Sequence, residues 1–452
     1  MASSSGNPRR SMLYHVLPVL VVFLSSSIEA KTRNPPNRRL MVLLVDGFRW
    51  DYADKHNLAN FKRLESDGAK AGYMQNDYPT LSYPNYYTLM TGLHTENHAM
   101  TGNFMYDPDT KKFFLIGTNK DQFLPLWWDH GEPLWVTADL QNKSSYMFFW
   151  PGCEVTIRGR DPTFCDAYSK VPSIQEVADA LDQGFLLITN GTADMVAVYS
   201  EQPDHYGHKY GPDAENTRLV LQDIDREVGK LLDRIAALTD DEKFNLVIVS
   251  DHGMTTIDPS RTINITEALT SEPGLYITIM ESAALASIYA PNQEAEDKVH
   301  TLLKDFSDHM QVYRRQEIPD RFYYKNGPFV SRITCVADLG WTILQPLQPE
   351  FPKKGLSDMQ GFHGYDNGEI DMRGIFYAYG PYFQPGSRVD HIQAIDPYSV
   401  MCDILELAPS PNNGTLSVFE PLKAVSAGSR DCPSVLPAWF FVVTLLAWKA
   451  VW

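Results

Sequence analysis

The sequence predicts an α/β fold: a largely parallel central sheet flanked by helices, forming a single domain. Three observations carry that prediction. Apolar runs of strand length recur without the alternation of a half-exposed strand, at Leu40–Val45, Met195–Tyr199 and Phe244–Ser250. Strands buried on both faces, as in parallel sheets, read this way. Between the last two runs, residues 215–238 place apolar side chains at i, i+3 and i+4, the pattern of an amphipathic crossover helix. Each run also leads to an aspartate: Asp46 and Asp251 directly, Asp204 after a short turn. In open α/β sheets the ligand site lies at the carboxyl ends of the strands.

The bulk composition narrows the function classes. Of 452 residues, 44% are hydrophobic and 21% charged, as in a folded globular protein. Lys and Arg total 39 against 56 Asp and Glu, a formal net charge of -17. A nucleic-acid surface needs clustered cations, so nucleic acid is excluded as a partner. An acidic protein still binds phosphate when metal ions supply the positive charge.

The two ends set the expected compartment. Residues 1–30 carry Arg9 and Arg10, an apolar run (MLYHVLPVLVVFL) and small residues up to Ala30, the order of a secretory signal peptide. Residues 426–452 begin with small residues (Ser426–Ser429) and end in AWFFVVTLLAWKAVW, which predicts a GPI-attachment signal removed on anchoring. The chain between, 31–425, holds no repeat or long linker and reads as one domain. The expected location is the extracellular face of the cell membrane. Sequons at Asn142, Asn190, Asn264 and Asn413 fit an exported glycoprotein. Cys153 and Cys165 enclose a short polar loop and form the predicted disulfide. Cys335 and Cys402 either pair or stay buried as thiols, and Cys432 lies in the tail.

A single Asp after a strand usually caps a helix or starts a turn. Here the aspartates come with imidazoles. Asp204 and His208 are four residues apart, so both sit on one face of a helical turn, which favours His208 over His205. Asp251-His252 stands at the mouth of a strand, and His363 lies among turn formers in Phe362-His363-Gly364. Carboxylate and imidazole donors suit zinc, and three of each match a site for two zinc ions. Ser82, at a helix start in Tyr78-Pro79-Thr80-Leu81-Ser82, is the candidate nucleophile, because a bound Zn²⁺ lowers a hydroxyl pKa without a Ser-His-Asp triad. Its simpler reading is a helix N-cap. Asn103 is a candidate amide donor to a phosphate oxygen.

In order along the chain stand DGFRWDY (46–52), SYPNY (82–86), D-x-x-x-H (204–208), SDHGM (250–254) and FHGYDN (362–367). Together these motifs resemble the ectonucleotide pyrophosphatase/phosphodiesterase family of the alkaline-phosphatase superfamily, over essentially the whole mature chain. The resemblance implies one zinc on Asp204, His208 and His363 and another on Asp46, Asp251 and His252. It further implies that Ser82 bridges the two and passes through a phosphoserine. Most relatives carry Thr at that position. Ser followed by Tyr-Pro-Asn-Tyr-Tyr, with LWW (126–128), FFWPGCEV (148–155) and GYDNGEIDMRGIF (364–376), resembles the family's GPI-anchored branch specific for choline glycerophosphodiesters. That implies release of phosphocholine from glycerophosphocholine and lysophosphatidylcholine.

A trimethylammonium group offers no hydrogen-bond donor, so aromatic faces and a carboxylate must recognise it. Tyr86, Tyr168 and Tyr199 are the expected cage, with Glu201 or Asp166 as an anionic wall. A sphingomyelin- or nucleotide-preferring relative is the alternative within the same chemistry, and a non-catalytic surface protein the alternative outside it. No Cys lies in the C-x-P-x-R motif a sulfatase requires. The branch's intersubunit Cys is also missing after Asn413-Gly414-Thr415, so the expected homodimer is non-covalent.

Overall fold

Apolar runs with no polar partner must bury both faces, and the structure shows what covers each. The computed structural model describes residues 36–272, 274–345 and 358–424. The predicted signal peptide, Cys432 and the GPI window lie outside the described residues. Leu40–Val45 (β1) has both neighbours parallel: Met195–Ser200 (β5) on one side and Asn245–Val249 (β6) on the other. Ser145–Phe148 (β3) and Phe164–Asp166 (β4) extend the sheet in parallel beyond β5. Beyond β6 come Phe376–Tyr379 (β11), antiparallel, then Ala69–Ala71 (β2) and Ser387–Val389 (β12). The order is therefore β12-β2-β11-β6-β1-β5-β3-β4. Five of the seven pairings are parallel, as the sequence predicts.

The two faces of β1 belong to two hydrophobic clusters. Leu40, Val42 and Leu44 pack with Tyr86, Leu89 and Met90 of Ser82–Thr91 (α2) and with Val400 and Ile404 of Asp396–Leu405 (α7). Met41, Leu43 and Val45 pack with helices Ala59–Asp67 (α1), Ile174–Thr189 (α3) and Glu215–Ala236 (α5). The last is the predicted crossover helix, and it buries Leu221, Ile224, Val228, Leu231 and Ile235 against the sheet. The short helix Asp204–Tyr210 (α4) precedes it.

A second antiparallel sheet, order β7-β8-β10-β9, is inserted after β6. Its strands are Thr278–Met280 (β7), Leu285–Tyr289 (β8), Met310–Arg314 (β9) and Ile333–Ala337 (β10). Helix Gln293–Leu303 (α6) covers it through Val299 and Leu303. Cys153 and Cys165 form the predicted disulfide. Cys335 and Cys402 are free buried thiols in separate cores, Cys335 in the inserted sheet and Cys402 in α7, which resolves that open pairing.

Helix α1 obtains its cap from another helix. Leu58 at its N-cap offers no side-chain oxygen, and Asp225 of α5 accepts from the N–H groups of Asn60 and Phe61, both at 2.9 Å, and from Asn60 Nδ2 at 3.0 Å. A carboxylate there satisfies orphan donors and opposes the positive end of the helix dipole. Asp225→Ala is expected to cost about 2 kcal/mol of stability, read by equilibrium denaturation with unchanged m-value.

Candidate active site

The strand order brings the predicted residues to one place. Asp46 is the first residue past β1, and its N–H donates to Ser200 O at 2.9 Å. Asp204 opens α4 and its N–H donates to Asp46 O at 3.1 Å. Asp251 and His252 follow β6. His363 arrives on the short strand Gly361–Phe362, paired antiparallel with Thr255–Thr256. A Cβ at Gly361 would lie 2.4 Å from Gly207 O, so only glycine lets this strand approach α4.

Two clusters of donor atoms result. In one, His208 Nε2 lies 3.4 Å from Asp204 Oδ2 and 3.1 Å from His363 Nε2, and His363 Nε2 lies 3.5 Å from Asp204 Oδ1. In the other, His252 Nε2 lies 3.3 Å from Asp46 Oδ1 and 3.2 Å from Asp251 Oδ2. The clusters abut, because the rings of His252 and His363 stack with centroids 3.5 Å apart. His205, the alternative within its motif, instead turns outward beside Glu201.

These donors fit bound cations on three counts. Each imidazole donates Nδ1–H to a backbone carbonyl: His208 to Gly361 O (2.9 Å), His252 to Gly253 O (2.8 Å) and His363 to Thr80 O (2.9 Å). A carbonyl only accepts, so each Nε2 carries the lone pair and faces its cluster, and those of His208 and His363 face each other. Asp46 Oδ1 and Asp251 Oδ2 are buried and accept no hydrogen bond. Tetrahedral zinc with ligands at about 2.1 Å separates donor atoms by about 3.4 Å, close to the spacings here. The electrostatics agree. Burial, then the charge of Asp204, pushes Asp46 well above the carboxylate range, and burial, then Asp46, does so for Asp251. Burial pulls His252 down to about 3 and His363 well below its usual value. Neutral imidazoles and crowded carboxylates want an external positive charge.

Ser82 is the first residue of α2, and its hydroxyl caps nothing; Oγ lies 3.2 Å from His252 Nε2. The N-cap reading therefore fails. Asn85 holds the turn before it, donating Nδ2 to the carbonyls of Asp77, Pro79 and Leu81. Asn103 comes alongside, its Oδ1 accepting from Tyr83 N–H at 2.9 Å, which leaves its NH₂ as the donor.

The expected choline cage is corrected at two positions. Tyr86 and Tyr199 are 4% and 3% exposed, and both hydroxyls donate to Asp46 Oδ2, Tyr199 at 2.6 Å. They orient a carboxylate from behind the site, because α2 lies across the sheet face on which Tyr199 points. Tyr168 and Glu201 do reach the rim, where the Tyr168 hydroxyl donates to Glu201 Oε2. Asp166 is exposed at the end of β4. The sequence reading missed Tyr83, half-buried next to Ser82, and Glu154, which follows disulfide-bonded Cys153; burial, then the charges of Glu154 and Glu201, raises the pKa of the Tyr83 hydroxyl. An aromatic directly after the nucleophile was the available signal for Tyr83. Thr80 was also missed: its hydroxyl donates to Tyr365 O and accepts from Gly364 N–H, tying the nucleophile turn to the His363 loop.

Such a site at the strand ends of this sheet defines an alkaline-phosphatase-like hydrolase of phosphate esters. The family model for type I phosphodiesterase / nucleotide pyrophosphatase matches residues 40–366. The chain is 37% identical over 388 residues to the bis(5'-adenosyl)-triphosphatase ENPP4 of Bos taurus, covering 85% of this chain and 82% of that one. It is 30% identical over 400 residues to ectonucleotide pyrophosphatase/phosphodiesterase family member 5 of Homo sapiens, covering 88% and 81%. The solved structure of an inactive variant of murine member 5 in complex with AMP superposes with a TM-score of 0.76 at 31% identity, over 85% of this chain and all (100%) of that one. The chain belongs to the ectonucleotide pyrophosphatase/phosphodiesterase family, a metal-dependent enzyme family.

Asp251→Asn, which exchanges a charged donor for a neutral one, is expected to lower metal content by elemental analysis. Tyr86→Phe, which only loosens Asp46, is expected to weaken metal affinity by about tenfold in a chelator competition. A carboxyl whose folded pKa is raised binds its proton more tightly folded than unfolded, so its contribution to stability falls as pH rises above the unfolded value. Metal-stripped Asp251→Asn should accordingly be more stable than metal-stripped wild type at pH 7, the gap closing towards pH 4, as denaturation at both pH values would show.

Proposed function

We propose that this chain is an extracellular zinc-dependent phosphodiesterase specific for choline phosphodiesters, releasing phosphocholine from glycerophosphocholine and lysophosphatidylcholine. One observation carries the substrate: the rim beside Ser82 gathers the rings of Tyr83 and Tyr168 with the carboxylates of Glu154 and Glu201. Aromatic faces and carboxylates attract a quaternary ammonium, and they repel the further phosphates of a nucleoside polyphosphate. The two expected cage tyrosines that lie behind Asp46 are replaced in this reading by Tyr83.

The reaction follows from the placement of the chain's own groups. Ser82 Oγ attacks the phosphorus, the bond from phosphorus to the glycerol oxygen breaks, and the serine proton ends on the departing alcohol. Water then attacks the phosphoserine and frees phosphocholine and the serine hydroxyl. Asn103 donates its NH₂ to a phosphate oxygen as charge accumulates. Two zinc ions, held by Asp204, His208 and His363 and by Asp46, Asp251 and His252, would supply Lewis acidity and lower the pKa of the Ser82 hydroxyl. The rigid turn held by Asn85 keeps Oγ directed at this site.

A nucleotide-preferring reading is favoured by the relatives, one named for adenosyl-triphosphate cleavage and another solved with AMP. The anchor and glycans belong to the same proposal: a GPI-held, homodimeric ectoenzyme glycosylated at Asn142, Asn190, Asn264 and Asn413, each exposed.

The test incubates the purified full-length protein with glycerophosphocholine, lysophosphatidylcholine, sphingomyelin and a dinucleoside polyphosphate, with and without chelator, and reads products by mass spectrometry. Chelator-sensitive phosphocholine from the first two is expected; preferred cleavage of the nucleotide would keep the chemistry and overturn the substrate. Ser82→Ala is expected to abolish turnover while the metal content stays near that of wild type, and retained turnover would sink the phosphoserine.

A further inference from the structure

Asn103 sits in a loop, and a loop holds a donor in place only if something holds the loop. The strands flanking it do not: Gly102 and Asn103 precede the hairpin that begins at Phe104. The holding group comes from the inserted sheet. Glu281, in the turn between β7 and β8, is 5% exposed, and its Oε1 accepts from the Phe104 N–H at 2.7 Å. Its carboxyl also accepts from the Asn103 N–H. The fit leaves no room for a side chain at the adjoining residue, where a Cβ on Gly102 would lie 2.5 Å from Glu281 Oε1. Glu281 itself has φ +61°, a left-handed conformation that costs a non-glycine residue about 1 kcal/mol or more. A large ionisable side chain is thus buried, in a strained backbone, with its head on the loop that bears Asn103.

We propose that Glu281 is a positioning residue for phosphodiester cleavage: its carboxyl grips the backbone of Asn103 and Phe104 and so fixes the Asn103 amide beside Ser82. The proposal rests on the reading of Ser82 as nucleophile and Asn103 as phosphate donor. The chain of contacts is continuous, from Glu281 to the Asn103 backbone, and from Asn103 Oδ1 to the N–H of Tyr83, the residue after Ser82. The inserted sheet, which supplies no metal ligand in the assignment above, thereby acts on the reaction. Burial pushes the Glu281 carboxyl up to about 8, so near neutral pH it is chiefly a neutral acid, which glutamine closely imitates.

The experiment measures kcat and KM of purified, zinc-loaded full-length protein with bis(p-nitrophenyl) phosphate, a diester free of choline and nucleoside, beside the thermal midpoint. Variants are Glu281→Ala, Glu281→Gln, Asn103→Ala and the double Glu281→Ala/Asn103→Ala. Removing an oxyanion donor costs on the order of 10²-fold in kcat, so Asn103→Ala should lose about that, and Glu281→Ala about tenfold, with KM nearly unchanged. Glu281→Gln should recover most of the loss. The double variant should be no worse than Asn103→Ala alone, since both act through one amide. If Glu281→Ala does not fold, Gly102→Ala, which drives a methyl against Glu281 Oε1, should show the same kcat loss. Multiplied losses in the double variant, or a lowered midpoint with wild-type kcat, would overturn the proposal. Full activity in Asn103→Ala would overturn the Asn103 reading as well, and full activity in Ser82→Ala the nucleophile itself.

Discussion

Three carboxylates with nothing positive among them cannot be buried together, and yet Asp46, Asp204 and Asp251 meet at the ends of adjacent strands. The arrangement around them follows from that conflict. Neutral imidazoles interleave with the acids, their lone pairs turned inward, and Tyr86 and Tyr199 take up one oxygen of Asp46. Cations held there would complete the charge balance, and their binding would then couple to the folding of the strand ends. The net charge of -17 does not oppose phosphate binding for the same reason: the local field at the site is set by what the carboxylates hold.

The sheet was legible in the sequence because its central strands are buried on both faces. A run such as Leu40–Val45 has no other reading once it is short, uninterrupted and followed by Asp-Gly. The convergence of the acids and imidazoles was legible because strand ends in an α/β sheet converge by topology, so a residue's position along its strand already tells where it will be. Side chains whose role depends on a partner far along the chain were not. Tyr86, four residues past Ser82, looked like a wall of the substrate pocket; its hydroxyl instead finds Asp46 because α2 lies across β1. Glu281 gave no signal at all, since its partner Phe104 is 177 residues away in sequence and it sits in a turn of an inserted sheet.

Division of labour within the site follows the same line. The ligands and Ser82 stand on strand ends and a helix start, elements braced by the core. In the proposed reading the rim that would meet the substrate's organic group stands elsewhere: on Glu154 in the segment stapled by Cys153–Cys165, on Tyr168 and Glu201, and on Tyr83 after Ser82. On that proposal catalysis and selectivity would be carried by different parts of the fold, so that relatives of one chemistry could differ in what they cleave without disturbing the two donor clusters.

The three imidazoles bear on how such a site survives mutation. Their tautomers are set by the carbonyls of Gly361, Gly253 and Thr80, which belong to the main chain. A carboxylate partner in that role could be deleted by a single codon change; a carbonyl oxygen is present whatever residue stands there. The orientation of the histidines is therefore inherited with the backbone, and sequence drift around the site can remodel selectivity for many generations before it reaches the proton that turns each Nε2 lone pair towards its cluster.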